Sequence, residues 1–233
     1  MPDSNASGLL AKVLLNPARW LAILLLGLTA GCSSLPLGDV VFGPSYMPTN
    51  ISVAAPRLPE QCRRVAVLPM ASAADETTWE RGRQDLEPVM RSELVKCGRF
   101  ESVFIPASQM ENWTGNRHWR ASEALPAGLL ARIHEATACD AILFVELSDY
   151  RPYPPVAIGW KARLVEWPSR RDLWAADEVF DSGRETVVNA ARRYQKDQQR
   201  QSGSLQESRS ILTSPRRFAQ YTLHALLETL PSR

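Results

Sequence analysis

Apolar residues change their spacing several times along this chain, and each change predicts an element. Arg63 to Pro69 (RRVAVLP) is a short aliphatic, β-branched run stopped by proline, the pattern of a buried strand. A helix should follow. Thr77 and Glu80 have capping-box spacing, and Leu86, Met90, Leu94 and Cys97 form one stripe ending at Gly98, a residue suited to a helix stop. Pro88 interrupts this pattern, so the helix either kinks or breaks there, and a break is expected. Phe100 to Pro106 (FESVFIP) reads as a second strand. Pro126 to Ala138 reads as a second helix with Leu129, Leu130, Ile133 and Thr137 on one face. Ala141 to Leu147 (AILFVEL) is apolar on both faces, as a central strand is.

Two strands of a meander come next. Ile158, Trp160, Ala162 and Leu164 alternate with Gly159, Lys161 and Arg163, and Pro168 to Arg171 turns the chain into Asp172 to Asp181. The end is helical. Val187, Val188, Ala191 and Tyr194 form a modest face that fades into a Gln-rich stretch, Gln195 to Ser210, expected to be mobile. Ser214-Pro215 opens a last helix with the stripe Ala219, Leu223, Leu226, Leu227 and Leu230. The predicted fold class is α/β: a single mixed sheet, strand-helix-strand-helix followed by a three-strand antiparallel meander, with C-terminal helices. Right-handed crossovers make its first three strands parallel.

The first thirty-one residues follow another rule. Lys12 and Arg19 precede the uncharged run Trp20 to Leu28, which is shorter than the roughly 20 residues that span a bilayer. The run leads into Leu28-Thr29-Ala30-Gly31-Cys32, which resembles a bacterial lipobox. That resemblance implies cleavage before Cys32 and acylation of its thiol. Ser33 follows where an Asp would imply retention in the inner membrane, so the implied location is the outer membrane, periplasmic face. Ser33 to Gln61 is rich in proline and small residues and reads as a tether, part of which should lie along the domain. The division is therefore signal peptide 1–31, lipidated Pro-rich tether 32–62, periplasmic α/β domain 63–183, and helical C-terminal extension 184–233.

Composition narrows the chemistry. Of 233 residues, 45% are hydrophobic and 22% charged, a core-forming balance. The formal charge is +2, too small for a protein that binds nucleic acid by counterion release, so no nucleic-acid partner is expected. Without residues 1–31 the chain holds 25 basic and 24 acidic residues. Near-neutrality hides one basic stretch, Arg184 to Arg217, with eight basic residues against three acidic ones, a solvated helical surface or a patch for an anionic partner. Three histidines lack ligand spacing, so neither metal nor cofactor is expected. G-x-S-x-G and phosphate-loop patterns are absent, and Asp177, Glu178 and Asp181 read as solvated strand-end charges; no catalytic residue is assigned.

Cys62, Cys97 and Cys139 remain after Cys32, and at most one internal pair can form. Cys62 and Cys139 stand at matching distances before two neighbouring parallel strands and are the preferred pair. Cys97, on the helical stripe, is a buried free thiol or an alternative partner. Two aromatic features are candidate partner-binding surfaces. Tyr150 and Tyr153 belong to the proline-stiffened stretch Tyr150 to Pro155 after the third strand, which is a recognition loop or simply a rigid turn. Trp113 and Trp119, with Arg117, lie in the polar excursion Ala107 to Ala121, as hot-spot residues or as buried anchors of a long loop.

VAVLP, then LVKCGRFESV, then CDAILFVELSDY, then ARLVEWPSRRDLWAADEVFDSG, together resemble the periplasmic lipoproteins related to the curli-secretion lipoprotein (CsgG-like), a fold type shared with the lipoprotein activators of penicillin-binding proteins and the amino-terminal domain of TolB. The resemblance covers roughly residues 63 to 183. It implies a non-enzymatic binding or assembly module acting on an unidentified envelope protein, possible as a homo-oligomer, with a subunit of a secretion assembly as the alternative and an envelope hydrolase as the third reading. The largest insertion, Ala107 to Ala121, is short and polar and contains no pair of strands of about 9 to 11 residues with alternating apolar faces, which argues against a pore.

Overall fold

The computed structural model describes residues 43–202 and 210–233. Cys32, the targeting segment, the first part of the tether and residues 203–209 of the Gln-rich stretch lie outside the described residues.

One open seven-stranded mixed sheet organises the chain. Its strands are β1 (Ile51–Val53), β2 (Arg64–Val67), β3 (Ala71–Ser72), β4 (Glu101–Phe104), β5 (Ala141–Arg151), β6 (Ala157–Glu166) and β7 (Asp172–Asp181). The helices are α1 (Thr77–Cys97), α2 (Ala107–Thr114), α3 (Leu129–Thr137), α4 (Glu185–Ser202) and α5 (Pro215–Leu227). The order across the sheet is β1-β7-β6-β5-β2-β4, with β3 paired to β5 beyond the end of β2. β2 is parallel to both β4 and β5, whereas β5, β6 and β7 form the antiparallel meander, as the hydrophobic pattern predicts. The short strands β1 and β3 carry too few residues to show a periodic signal.

β5 is apolar on both faces because both are covered. Leu143, Val145 and Leu147 enter a large core with Val65, Val67, Trp160, Leu164, Trp174 and Phe180, roofed by α1, α4 and α5. Ile142 and Phe144 enter a smaller core with Ala66, Leu68, Met110, Trp119 and Ile133, roofed by α2, α3 and the segment between them. The α5 stripe is buried as its spacing requires, and Ser214 Oγ accepts from the Arg217 N–H at its start.

α1 departs from expectation at two points. It runs unbroken through Pro88, and its N-cap is Glu76 with no side-chain cap. Glu80 turns instead to Arg83, whose guanidinium lies 2.6 Å from Glu80 Oε1 and 3.0 Å from Glu87 Oε2. These bonds, with Leu86, Val89 and Met90 buried against the sheet, hold the helix across the one amide that proline removes. Gly98 ends it at φ 63°, a left-handed conformation that favours glycine. Likewise α3 starts at Leu129 rather than Pro126, and α4 carries helix through Gln195 to Ser202, the first part of the stretch expected to be mobile.

The described part of the tether is structured. Gly43 to Val53 lies along the free edge of β7, where β1 pairs in the register Ile51 to Ala176. One carboxylate fastens it: Glu178 accepts from the Tyr46 hydroxyl and from the backbone N–H groups of Thr49 and Asn50, at 2.7 and 3.0 Å. The chain then crosses the far end of the sheet, where Leu58 and Cys62 are buried and Ser232 bridges to Arg57.

Candidate functional site

Helices α1, α4 and α5 roof one face of the sheet, and α2 and α3 cover the other over β4, β2 and β5, with Val165 at the end of β6 buried beneath them. Among the described residues no helix covers that second face over the rest of β6, β7 and β1. Strand alternation aims Lys161 and Arg163 of β6 and Ala175, Asp177 and Val179 of β7 onto it. Glu146, Lys161 and Asp177 stand opposite one another on three neighbouring strands. Lys161 Nζ lies 3.0 Å from Asp177 Oδ2, a bond that raises the lysine pKa. Glu146 is buried at the margin of the open face; burial raises its pKa, and the N–H that Ala121 donates at 3.2 Å works the other way. Arg163 donates to Asp172 at 2.9 Å and to the Ala121 carbonyl at 2.8 Å. Between these charges the small side chains of Ala121 and Ala175 leave a shallow groove of about 210 Å³, closed at its edge by Asn50 and Ser52.

A second depression, about 440 Å³, lies between the C-terminal end of α1 and the helices α4 and α5. It is largely polar: Glu93 pairs with Lys96 at 2.7 Å, His224 faces Glu228 at 3.3 Å, and Gln198, Gln201, Arg99, Cys97 and Leu227 complete the lining.

The candidate residues divide by exposure. Trp119 is only 9% exposed, its indole N–H donates to Thr114 Oγ1 at 3.1 Å, and Trp113 packs half-buried against the same small core. Trp119 anchors the excursion, part of which is α2, to the sheet, whereas Trp113 keeps part of its ring at the surface. Arg117 is exposed and lies 3.4 Å from Glu111. Tyr150 packs against α1, where its ring fills the space that a side chain at Gly82 would need. Tyr153 is 77% exposed. Asp177, Glu178 and Asp181 do not converge: Asp177 pairs with Lys161, Glu178 faces the tether, and Asp181 lies 2.8 Å from Arg151. Arg184 of the basic stretch sits over the Tyr46 ring at 4.8 Å.

The cysteine reading is corrected. Cys62, Cys97 and Cys139 are free thiols. Cys62 is buried in the large core and Cys139 in the small one, so the sheet lies between the two sulfurs. Matching distances along parallel strands bring backbones together; the pleat decides which face each side chain takes. Burial raises the pKa of all three thiols, that of Cys62 to about 11. Native protein should therefore react slowly and first at Cys97, which borders the polar cleft, with Cys62 and Cys139 reacting only on unfolding. Mass spectrometry after timed alkylation checks this order, and modification of Cys62 before Cys97 would contradict it.

Among the described residues no group of three or more His, Cys, Asp or Glu could hold a metal ion, and no helix is long and apolar enough to cross a membrane.

The sequence matches no protein-family model and no curated protein. Among solved structures it is similar to the lipoprotein GNA1162 of Neisseria meningitidis, at 17% identity and a TM-score of 0.37 over 61% of this chain and 98% of that one. It is similar to the C-terminal domain of LpoB from Salmonella enterica, at 14% identity and a TM-score of 0.33 over 52% of this chain and 84% of that one. TolB of Acinetobacter baumannii is matched at 16% identity and a TM-score of 0.26 over 66% of this chain and 31% of TolB. Bacterial lipoproteins and TolB are thus among the structures this chain is similar to.

Proposed function

We propose that this protein is a lipoprotein of the cell envelope, acylated on Cys32 and held at the periplasmic face of the outer membrane, whose α/β domain binds another envelope protein without catalysing a reaction. The observation that carries this reading is the open half of the sheet. Rigid strands present Lys161, Arg163, Ala175, Asp177 and Val179 on one surface of interspersed charge and small side chains that no helix covers among the described residues. Such a surface favours a partner of complementary charge pattern. Anchoring adds to it, because a domain confined near a membrane meets a co-anchored partner at high effective concentration.

One experiment tests anchor and surface together. Radiolabelled palmitate should enter the wild-type protein and not Cys32→Ser, and equal labelling of both would reject the anchor. In the same cells, a photoreactive side chain at Ala175 should crosslink to one specific envelope protein, whereas one at Arg81 on α1 should not. Absence of any protein adduct at Ala175, or equal adducts at both sites, would reject the surface. Adducts to a second copy of this chain, with ring-shaped particles in detergent extracts, would favour the secretion-assembly reading. An envelope hydrolase would show turnover of cell-wall or protein substrate lost on substitution of clustered acid and base groups.

A further inference from the structure

The groove on the open face is not made by β6 and β7 alone. Asn50, Ile51 and Ser52 line it, and all three belong to the strap, Gly43 to Val53, that lies along β7. Ser52 stands opposite Ala175 in the register of β1 and β7. Asn50 is bonded twice to Asp177: its side-chain amide donates to the Asp177 carbonyl at 2.8 Å, and its own carbonyl accepts the Asp177 N–H at 3.1 Å. Asp177 in turn holds Lys161 at 3.0 Å. The strap therefore supplies one wall of the groove and fixes the backbone of a charged residue that the surface presents.

The strap is held from the other side of the sheet. Strand alternation sends Asp177 to the open face and Glu178 to the roofed one, where Ala176 and Phe180 of the same strand are buried in the large core. There Glu178 takes the Tyr46 hydroxyl and the N–H groups of Thr49 and Asn50. The Tyr46 ring packs edge-on against Phe180, with centroids 5.4 Å apart. β1 itself is three residues long and buries little apolar surface: Ile51 is half-buried and Val53 exposed. Docking thus depends on Tyr46 and Glu178, and neither side chain lines the groove. Asn50 joins the two systems, with its N–H on Glu178 and its side chain on Asp177.

We infer that Glu178 positions the partner-binding surface through the strap, so that strap docking and partner binding at the open face are one coupled equilibrium. This rests on the binding role proposed for that face and adds what regulates it. A partner seated against Asn50 and Ser52 finds their wall in place only while the strap is docked. When the strap is loose, binding must also order it, and that conformational cost lowers the affinity. By reciprocity a bound partner holds the strap down.

The test uses the full-length protein with p-benzoylphenylalanine in place of Val179, which is 40% exposed and points to the open face but lies outside the groove. Envelope-protein adducts per copy are measured in illuminated intact cells, and hydrogen exchange at Thr49 and Asn50 on the purified protein. Glu178→Ala and Tyr46→Ala each loosen the strap without altering a side chain of the groove. Leu94→Ala, which opens a cavity in the core under α1, is the control for lost stability alone. Both strap variants should exchange fast at Thr49 and Asn50 and lose adducts at position 179 by at least about fivefold, and the control should do neither. Fast exchange with undiminished adducts overturns the coupling and leaves the binding surface standing. Slow exchange in Glu178→Ala overturns the role of Glu178. An equal loss of adducts in Leu94→Ala overturns the coupling too, since the effect is then one of global stability. No adduct at position 179 in the protein without these changes rejects the binding surface and the coupling with it.

Discussion

Replacing Trp160 with alanine should lower the unfolding free energy by about 4 kcal/mol, the scale of a fully buried aromatic truncated to a methyl group. Trp160 is wholly buried in β6, between β5 and β7, and faces α5. Its indole N–H donates to Thr222 Oγ1 at 2.8 Å, and the Thr222 hydroxyl donates to the Ala219 carbonyl at 3.1 Å. Packing and hydrogen bonding can be separated. Trp160→Phe keeps a buried aromatic ring but removes the indole donor and part of the ring volume, and because Thr222 keeps its bond to Ala219 the cost should be only about 1 to 2 kcal/mol. Urea midpoints at unchanged m-value read both numbers. A loss below about 1 kcal/mol for the alanine variant would mean that α5 is not seated on β6 as described.

The second large effect is expected at Glu178. This carboxylate is 8% exposed and serves the Tyr46 hydroxyl and two backbone N–H groups of the strap. Glu178→Ala leaves those donors without an acceptor and should cost about 3 kcal/mol at pH 7, with fast hydrogen exchange at Thr49 and Asn50. Burial pushes the Glu178 pKa up, but the bonds from Tyr46, Asn50 and Thr49 and the nearby Arg184 outweigh it, and the net shift is downward. A depressed carboxylate contributes stability that is present above its unfolded-state pKa and is lost as pH falls through the lower folded-state value. Stability should therefore decline with acid below the ordinary carboxylate range, and Glu178→Gln should lack that part of the decline. Burial, together with the same bond, pushes the Tyr46 hydroxyl up to about 12, so the tyrosine remains the donor at neutral pH. Identical acid profiles for wild type and Glu178→Gln would remove Glu178 from this role.

Legibility in the sequence followed the range of the interaction. The core strands and α5 were readable because their signal is local: Val65 to Val67, Leu143 to Leu147 and the alternation from Ile158 to Leu164 each show their burial within a few residues. Gly98 announced the end of α1 because a left-handed residue is a local requirement. Pro88 points locally to a break, but the forces that override it come from elsewhere: Arg83 between two glutamates, and a helical face buried on the sheet. β1 was invisible since three residues of edge strand owe their conformation to the hydrogen bonds of β7. The tryptophans of the excursion carried the composition of a hot spot, and only packing shows that Trp119 is an anchor.

By itself, then, the sequence determined the order of the longer strands and helices, the mixed character of the sheet and the candidate lipid attachment at Cys32, because periodicity, turn chemistry and a targeting segment are written in consecutive residues. Tertiary structure decided which side of the sheet each residue faces. That placement separates Cys62 from Cys139, leaves half a sheet face without a helix over it among the described residues, and turns a stretch of apparent tether into a strap held by Glu178. These are contacts between residues far apart along the chain, made by the pleat and by the pairing of edges, and no local pattern encodes them.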